Sequence, residues 1–223
     1  MPNSNTLIKP SIKNKLITAL PFLVVLFWVC LFLAMTKGFS HLTLESERKA
    51  ALFSTQPELV MHLVDEQGQS TTLSALARQQ NKILVTQFIY TTCKTLCLAL
   101  GDYFQQAQTQ IGLQGLDKKI HLLSISFDVA KDNPERLKNY RLRMRADTQI
   151  WSLATMQTLQ DLTLAKDQLG LIVLPTEQKE FVHNSAFLVI STQGKLLGIY
   201  DDDDIQGALM LAKQHSDKIH HAE

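Results

Sequence analysis

Leu16 to Met35 (LITALPFLVVLFWVCLFLAM) carries no charged side chain. Such a run predicts a helix that is apolar on every side, and about 20 such residues cross the hydrocarbon core of a bilayer. Beyond it, short apolar runs alternate with longer mixed segments. Leu59 to Val64 ends at Asp65-Glu66-Gln67-Gly68, a turn signal that predicts a hairpin into Ser70 to Leu73. Ser74 to Gln80 reads as a helix. Ile83 to Tyr90 (ILVTQFIY) is rich in β-branched and aromatic residues and predicts a buried central strand, followed by a helix from Leu96 to Gln110 that ends near Gly112. His121 to Phe127 repeats the strand signal. Asn133-Pro134-Glu135 then supplies a cap and a first-turn Pro for a helix reaching about Arg145.

Ile150 to Ala154 predicts a short strand, and Gln157 to Leu169 a helix closed by Gly170. Phe187 to Ile190 and Leu196 to Tyr200 form a hairpin around Thr192-Gln193-Gly194, and a last helix runs from Ile205 to His215. Strands separated by helices imply an α/β layered domain with a parallel sheet covered on both faces and an antiparallel hairpin at one edge.

Composition narrows the class. The 22 Lys and Arg nearly cancel 21 Asp and Glu, and 45% of the residues are hydrophobic, which excludes a disordered tail protein and a polybasic nucleic-acid binder. Lys9, Lys13 and Lys15 precede the apolar run and only Lys37 follows it closely, so the N-terminus is expected in the cytoplasm and the domain beyond the membrane. Leu33-Ala34-Met35-Thr36-Lys37 has no small-x-small cleavage site, which favours an uncleaved anchor over a signal peptide. The expected organisation is a cytoplasmic segment 1–15, a transmembrane anchor 16–35, a tether 36–56 and a globular domain 57–223.

Ligands gather at the carboxyl ends of strands in such sheets, which directs attention to Thr91-Thr92-Cys93-Lys94-Thr95-Leu96-Cys97. Of the 3 Cys, Cys30 lies in the apolar run, leaving Cys93 and Cys97 as the pair of the exported domain. On a helix a spacing of four turns two side chains about 40° apart, so both sulfurs would share a face. The helix N-terminus and Lys94 would favour thiolates. Such a pair either binds a soft metal or cycles through a disulfide; an inert disulfide closing so short a loop would gain little.

Among the 7 His, His183 stands before the strand Ala186 to Ile190, a position at which an isolated His is ordinarily a surface or satisfied residue. His121 adjoins a strand and reads as structural. His41 and His62 have no partner pattern, and His215, His220 and His221 lie in the C-terminal segment. Asp201 to Asp204 precede a helix and read as its cap and a solvated face.

The ordered set Thr-x-Cys-x-x-x-Cys after an apolar strand, Ser126-Phe127-Asp128, Asp132 to Tyr140, His183 before Phe187 to Ile190, and Gly194-Lys195 resembles the Sco/SenC proteins. These are membrane-anchored, thioredoxin-like copper chaperones connected with cytochrome c oxidase assembly. The resemblance covers about residues 57 to 215 and the anchor. It implies that Cys93, Cys97 and His183 match the family's copper ligands and that Asp128 matches its acidic position near the site. Leu98 stands where the family usually has Pro, and Val182 where it often has Asp. Two thiolates and an imidazole suit Cu(I), with Cu(II) after oxidation, whereas structural zinc and iron–sulfur clusters want four ligands.

The expected partners are therefore a copper-receiving enzyme such as a cytochrome c oxidase subunit, a thiol-disulfide reductant and the membrane, with no nucleic acid. The expected place is the inner (cytoplasmic) membrane, single-pass, with the domain in the periplasm or an equivalent exported compartment. The alternative is a thiol-disulfide oxidoreductase in which one of Cys93 and Cys97 attacks a partner disulfide and the other resolves it.

Overall fold

The computed structural model describes residues 12–35, 58–93, 96–176 and 181–220, without the side chains of 12–20, 35, 96–101 and 219–220. The chain divides into two compact units, residues 1–48 and 49–223. The first contains helix α1, Ile12–Met35, whose described side chains from 21 to 34 are all exposed and mostly large and apolar. Among the described residues, no helix is long and apolar enough to cross a membrane. The tether expected at 36–56 lies outside the described residues.

In the second unit, strands β1 (His62–Asp65), β2 (Ser70–Thr72), β3 (Ile83–Ile89), β4 (Ile120–Ser126), β5 (Trp151–Met156), β8 (Ala186–Ile190) and β9 (Leu196–Asp201) form one sheet in the order β2-β1-β5-β4-β3-β8-β9. Strands β3, β4 and β5 are parallel, and every residue of β3 and β4 is buried, as a strand covered on both faces requires. An antiparallel hairpin borders each side of this parallel centre, β1/β2 beyond β5 and β8/β9 beyond β3, where the sequence predicted one edge only. The second antiparallel edge arises because the predicted β1/β2 hairpin joins the sheet through β1 pairing antiparallel with β5, Leu63 opposite Met156, a contact between segments far apart in the chain.

The helices are α2 (Leu73–Gln80), α3 (Leu96–Leu113), α4 (Pro134–Met144), α5 (Leu159–Leu169) and α6 (Ile205–His220). Helix α3 passes through Gly112, and Gly115 takes the left-handed turn at φ +64° behind it, while Leu116 N–H donates back to the Ile111 carbonyl. Asn133 caps α4 ahead of Pro134, as read from the sequence. Helix α5 starts two residues later than predicted because Thr158 and Asp161 form a capping box and β5 continues to Met156. Asp204 accepts from Gly207 N–H and caps α6. Between α5 and β8 lies a second sheet the sequence reading missed, β6 (Val173–Pro175) paired with β7 (Phe181–His183).

The core centres on Trp151, Phe104 and Phe187, with Phe104 edge-on to Trp151 at 5.3 Å and stacked on Phe187 at 5.7 Å. Ser124 sits inside it, accepting from Gln87 Nε2 and Trp151 Nε1, both at 2.9 Å. His121 is buried on β4 with Nε2 2.9 Å from Ser152 Oγ. Burial, reinforced by the positive charge of Lys82, pushes its pKa down to about 4 from the ordinary 6.5.

The unfolded chain therefore takes up a proton on His121 below about pH 6.5 that the fold refuses until about pH 4. Stability is unaffected above pH 6.5 and falls as the pH drops through this window, by about 3 kcal/mol from this one group. Urea unfolding at pH 7 and pH 4.5 is expected to show that loss, and His121→Gln to reduce it. An equal acid loss in the variant would refute the assignment.

Candidate metal centre

The site lies at the carboxyl ends of β3 and β4. After Ile89 the chain turns at Tyr90-Thr91-Thr92-Cys93, closed by Cys93 N–H donating to the Tyr90 carbonyl at 3.2 Å, and Cys93 is buried at the end of the turn. Helix α3 begins only at Leu96, so Cys93 stands before the helix and Cys97 on it. The sequence argument that both sulfurs share one helical face therefore does not apply, because only Cys97 follows the helical repeat. Lys94 and the Cys97 side chain lie outside the described residues.

His183 ends β7, on the missed two-stranded sheet, opposite Val173. Its buried ring is boxed by aromatic rings, Phe127 at 5.0 Å and Tyr90 at 5.9 Å, which also contact each other and Phe181. His183 Nδ1 lies 2.9 Å from the Asn184 carbonyl. A carbonyl oxygen only accepts, so Nδ1 carries the proton and Nε2 presents a lone pair. Nε2 is buried and has no hydrogen-bond partner among the described residues. An unsatisfied buried acceptor costs about 1–3 kcal/mol, so this nitrogen is a position at which a bound group would be stabilising.

Burial lowers the His183 pKa from its ordinary value, against weaker upward pulls from the Asn184 carbonyl and from a negative charge on Cys93. The ring is thus neutral near pH 7, as a metal ligand must be. Cys93 and His183, 90 positions apart in the chain, both meet Tyr90: Cys93 N–H donates to its carbonyl, and the His183 ring packs on its ring. Among the described residues no three His, Cys, Asp or Glu side chains are gathered around one point.

Asp128, next to the boxing ring of Phe127, is buried, with Lys131 Nζ 3.8 Å from an Oδ2 that has no hydrogen-bond partner among the described residues. Burial, and then the charge of Asp132, raises its pKa above the usual carboxylate value. His62 and His121 have partners of their own elsewhere in the fold. His62 Nδ1 is 3.2 Å from the buried carboxylate of Asp161, a partner supplied 99 positions away. His121 faces Ser152, and His41 and His221 lie outside the described residues.

Sequence reasoning missed Asn184, which ties down the end of β7 behind His183: its Oδ1 accepts from Ile172 N–H at 2.7 Å and its Nδ2 donates to the Gly170 carbonyl at 3.0 Å. It also missed the aromatic box. The β6/β7 hairpin had a faint signal in Ile172-Val173-Leu174, cut short by Pro175.

A thioredoxin-like α/β fold, with a buried cysteine just beyond its central strand and a neutral buried imidazole both against Tyr90, defines a class of thiol and imidazole sites for soft metals or redox chemistry. The SCO1/SenC family profile matches residues 56–216, and the chain belongs to that family. A SCO1 protein homologue of Bacillus subtilis (strain 168) is 21% identical over 140 residues, 61% of this chain and 69% of that protein. The structure of BsSco, a member of the Sco family of cytochrome c oxidase assembly proteins in which a disulfide switch was identified, superposes with TM-score 0.60 at 20% identity, covering 73% of this chain and 95% of that one. Arabidopsis thaliana ScoI with copper bound superposes with TM-score 0.58 at 16% identity, covering 71% and 98%.

Proposed function

We propose that this protein is a membrane-tethered copper chaperone that holds copper through Cys93, Cys97 and His183 and passes it to a copper enzyme such as a cytochrome c oxidase subunit. The observation that carries the reading is the His183 Nε2 lone pair, buried and unsatisfied, on a ring packed against Tyr90, the first residue of the Cys93 turn. The donor set suits a soft, low-coordinate ion: two sulfurs and one imidazole hold Cu(I), and the imidazole extends the set to Cu(II). A low-coordinate site leaves copper open to attack by a ligand of the receiving protein. Copper in the relative from Arabidopsis and membership of the SCO1/SenC family support the assignment.

The test is copper stoichiometry on the purified, reduced full chain. Wild type is expected to retain one Cu(I) per chain against a competing chelator, and Cys93→Ser and Cys97→Ser each to lose stoichiometric binding. Full retention in either variant would remove that residue from the ligand set.

The tether belongs to the same proposal: residues 1–15 in the cytoplasm, 16–35 as a single-pass anchor in the inner (cytoplasmic) membrane, 36–56 as a linker and 57–223 as the exported domain. The uncharged run from Leu16 to Met35 and the lysines before it support this. A reporter that works only outside the cytoplasm, fused after residue 50, should be active. Activity of a cytoplasm-only reporter at the same position would overturn the topology.

A second reading has its own support. Cys93 lies in a turn just before a helix, and a disulfide switch is described for BsSco, so Cys93 and Cys97 fit a thiol-disulfide oxidoreductase in which one thiolate attacks and the other resolves. A reductant that keeps the pair as dithiol is then a partner under either reading.

A further inference from the structure

The turn that carries Cys93 is gripped from outside by a single carboxylate. Thr91 is the second residue of that turn, and its polar groups are engaged all round. Its N–H donates to Asp132 Oδ2 at 2.8 Å, its Oγ1 donates to Asp132 Oδ1 at 2.5 Å, and its carbonyl accepts from Arg143 Nη2 at 2.9 Å. Ser126, the last residue of β4, also donates its hydroxyl to Asp132 Oδ2, at 2.5 Å, while accepting from Asp128 N–H.

Asp132 is itself buried and anchored by its N–H to the Asp128 carbonyl at 2.9 Å. One side chain thus ties the end of β4 to the residue two positions before the cysteine. Phe127, between Ser126 and Asp128 on the same segment, packs on the His183 ring.

We propose that Asp132 is the positioning residue for Cys93: its carboxylate sets where the sulfur stands relative to His183 Nε2. This rests on the reading that Cys93 and His183 hold the same metal ion. A carboxylate is suited to the task because its two oxygens only accept, and here three donors converge on it from two chain segments. With Asp132 truncated, the Thr91 N–H and both hydroxyls lose their acceptor. The Cys93 turn then loses the side-chain grip on its second residue, and its remaining contacts hold the sulfur less tightly. An Asn at 132 keeps the shape: its Oδ1 can take Thr91 N–H and Ser126 Oγ, and its Nδ2 can donate to Thr91 Oγ1, whose hydroxyl rotates to accept.

The test uses the full chain and two readouts, peptide-resolved alkylation of Cys93 without copper and the thiolate-to-Cu(II) charge-transfer spectrum with it. Asp132→Ala is expected to alkylate at Cys93 at least about tenfold faster, because a loosened turn exposes a buried sulfur, and to show a displaced charge-transfer band. Asp132→Asn should keep both properties of the wild type. Leu123→Ala, a core truncation in β4, should lower thermal stability and leave the band in place.

Wild-type alkylation and spectrum in a folded Asp132→Ala would overturn the proposal, and so would an equal band displacement in Leu123→Ala, since general loosening would then suffice. Should Asp132→Ala fail to fold, Thr91→Val removes one of the three donors while keeping the side-chain shape. It is then expected to accelerate Cys93 alkylation about threefold, and an unchanged rate would overturn the proposal. If the wild-type chain binds no copper, the chaperone reading fails by itself, while alkylation of the copper-free chain still decides the role of Asp132.

Discussion

Replacing His183 by Ala is expected to weaken copper binding by at least about tenfold, or 1.4 kcal/mol, and to weaken Cu(II) more than Cu(I). Two thiolates alone satisfy Cu(I) in linear coordination, whereas Cu(II) needs the third donor. The Cys93–Cys97 disulfide should still form and reduce in the variant, because the imidazole takes no part in sulfur exchange. The truncation leaves a gap against Tyr90 and Phe127, costing roughly 2 kcal/mol by the usual large-to-small loss. Removing a buried nitrogen with no hydrogen-bond partner offsets about 1 kcal/mol of it.

The fold should therefore survive, and free imidazole at millimolar concentration should restore part of the copper affinity by occupying the gap. Competition titration for both copper states, with and without imidazole, measures this, alongside disulfide reductase turnover. Unchanged copper affinities with impaired turnover would sink the chaperone reading and leave the oxidoreductase.

Gly194→Ala is expected to cost about 4 kcal/mol, from two sources. The residue sits in the β8–β9 turn at φ +76°, where an L side chain costs about 1–3 kcal/mol. A Cβ there would also stand 2.6 Å from the Cα of Ser74, backbone at the start of α2 that cannot swing aside. The loss would spread, because the Gly194 carbonyl accepts from Leu59 N–H and the Leu59 carbonyl accepts from Ser74 N–H, so this turn holds the entry to α2 in place. Against a total stability of about 5–15 kcal/mol for a domain, that is a large share. Chemical denaturation of the variant would measure it, and a loss under 1 kcal/mol would mean that the turn and α2 are not in contact in solution.

Gly194 illustrates what each level of description contributes. The sequence places it in a turn between two apolar runs, since Thr192-Gln193-Gly194 carries the local chemistry of a reversal. Its contact with Ser74, 120 positions earlier, has no local signal. The same division holds at the site. Cys93 and Cys97 stand out by their place after a strand and their spacing, whereas only the ordered motifs mark His183 as a ligand, its own position reading as a surface or satisfied residue. The tautomer fixed by the Asn184 carbonyl, the unsatisfied Nε2 and the ring box of Phe127 and Tyr90 depend on a sheet of two three-residue strands. Strands that short, one ending in Pro175, are below what hydrophobic alternation resolves.

By itself the sequence determined the buried parallel strands β3 and β4, the caps at Asn133 and Asp204, the β8–β9 hairpin, the apolar N-terminal run and the identity of the candidate ligands. Each of these rests on chemistry within a few neighbouring residues: burial period, a capping side chain, a turn residue, or a motif. Only the tertiary structure decided that β1 and β2 add a second antiparallel edge, that Cys93 precedes its helix, that His62 is matched with Asp161, and that Asp132 grips the cysteine turn from 41 positions away. The reason is physical. A buried carboxylate or imidazole is satisfied by whichever donors the packed strands bring within about 3 Å of it, and that proximity is set by the closing of the whole sheet, which no stretch of neighbouring residues encodes.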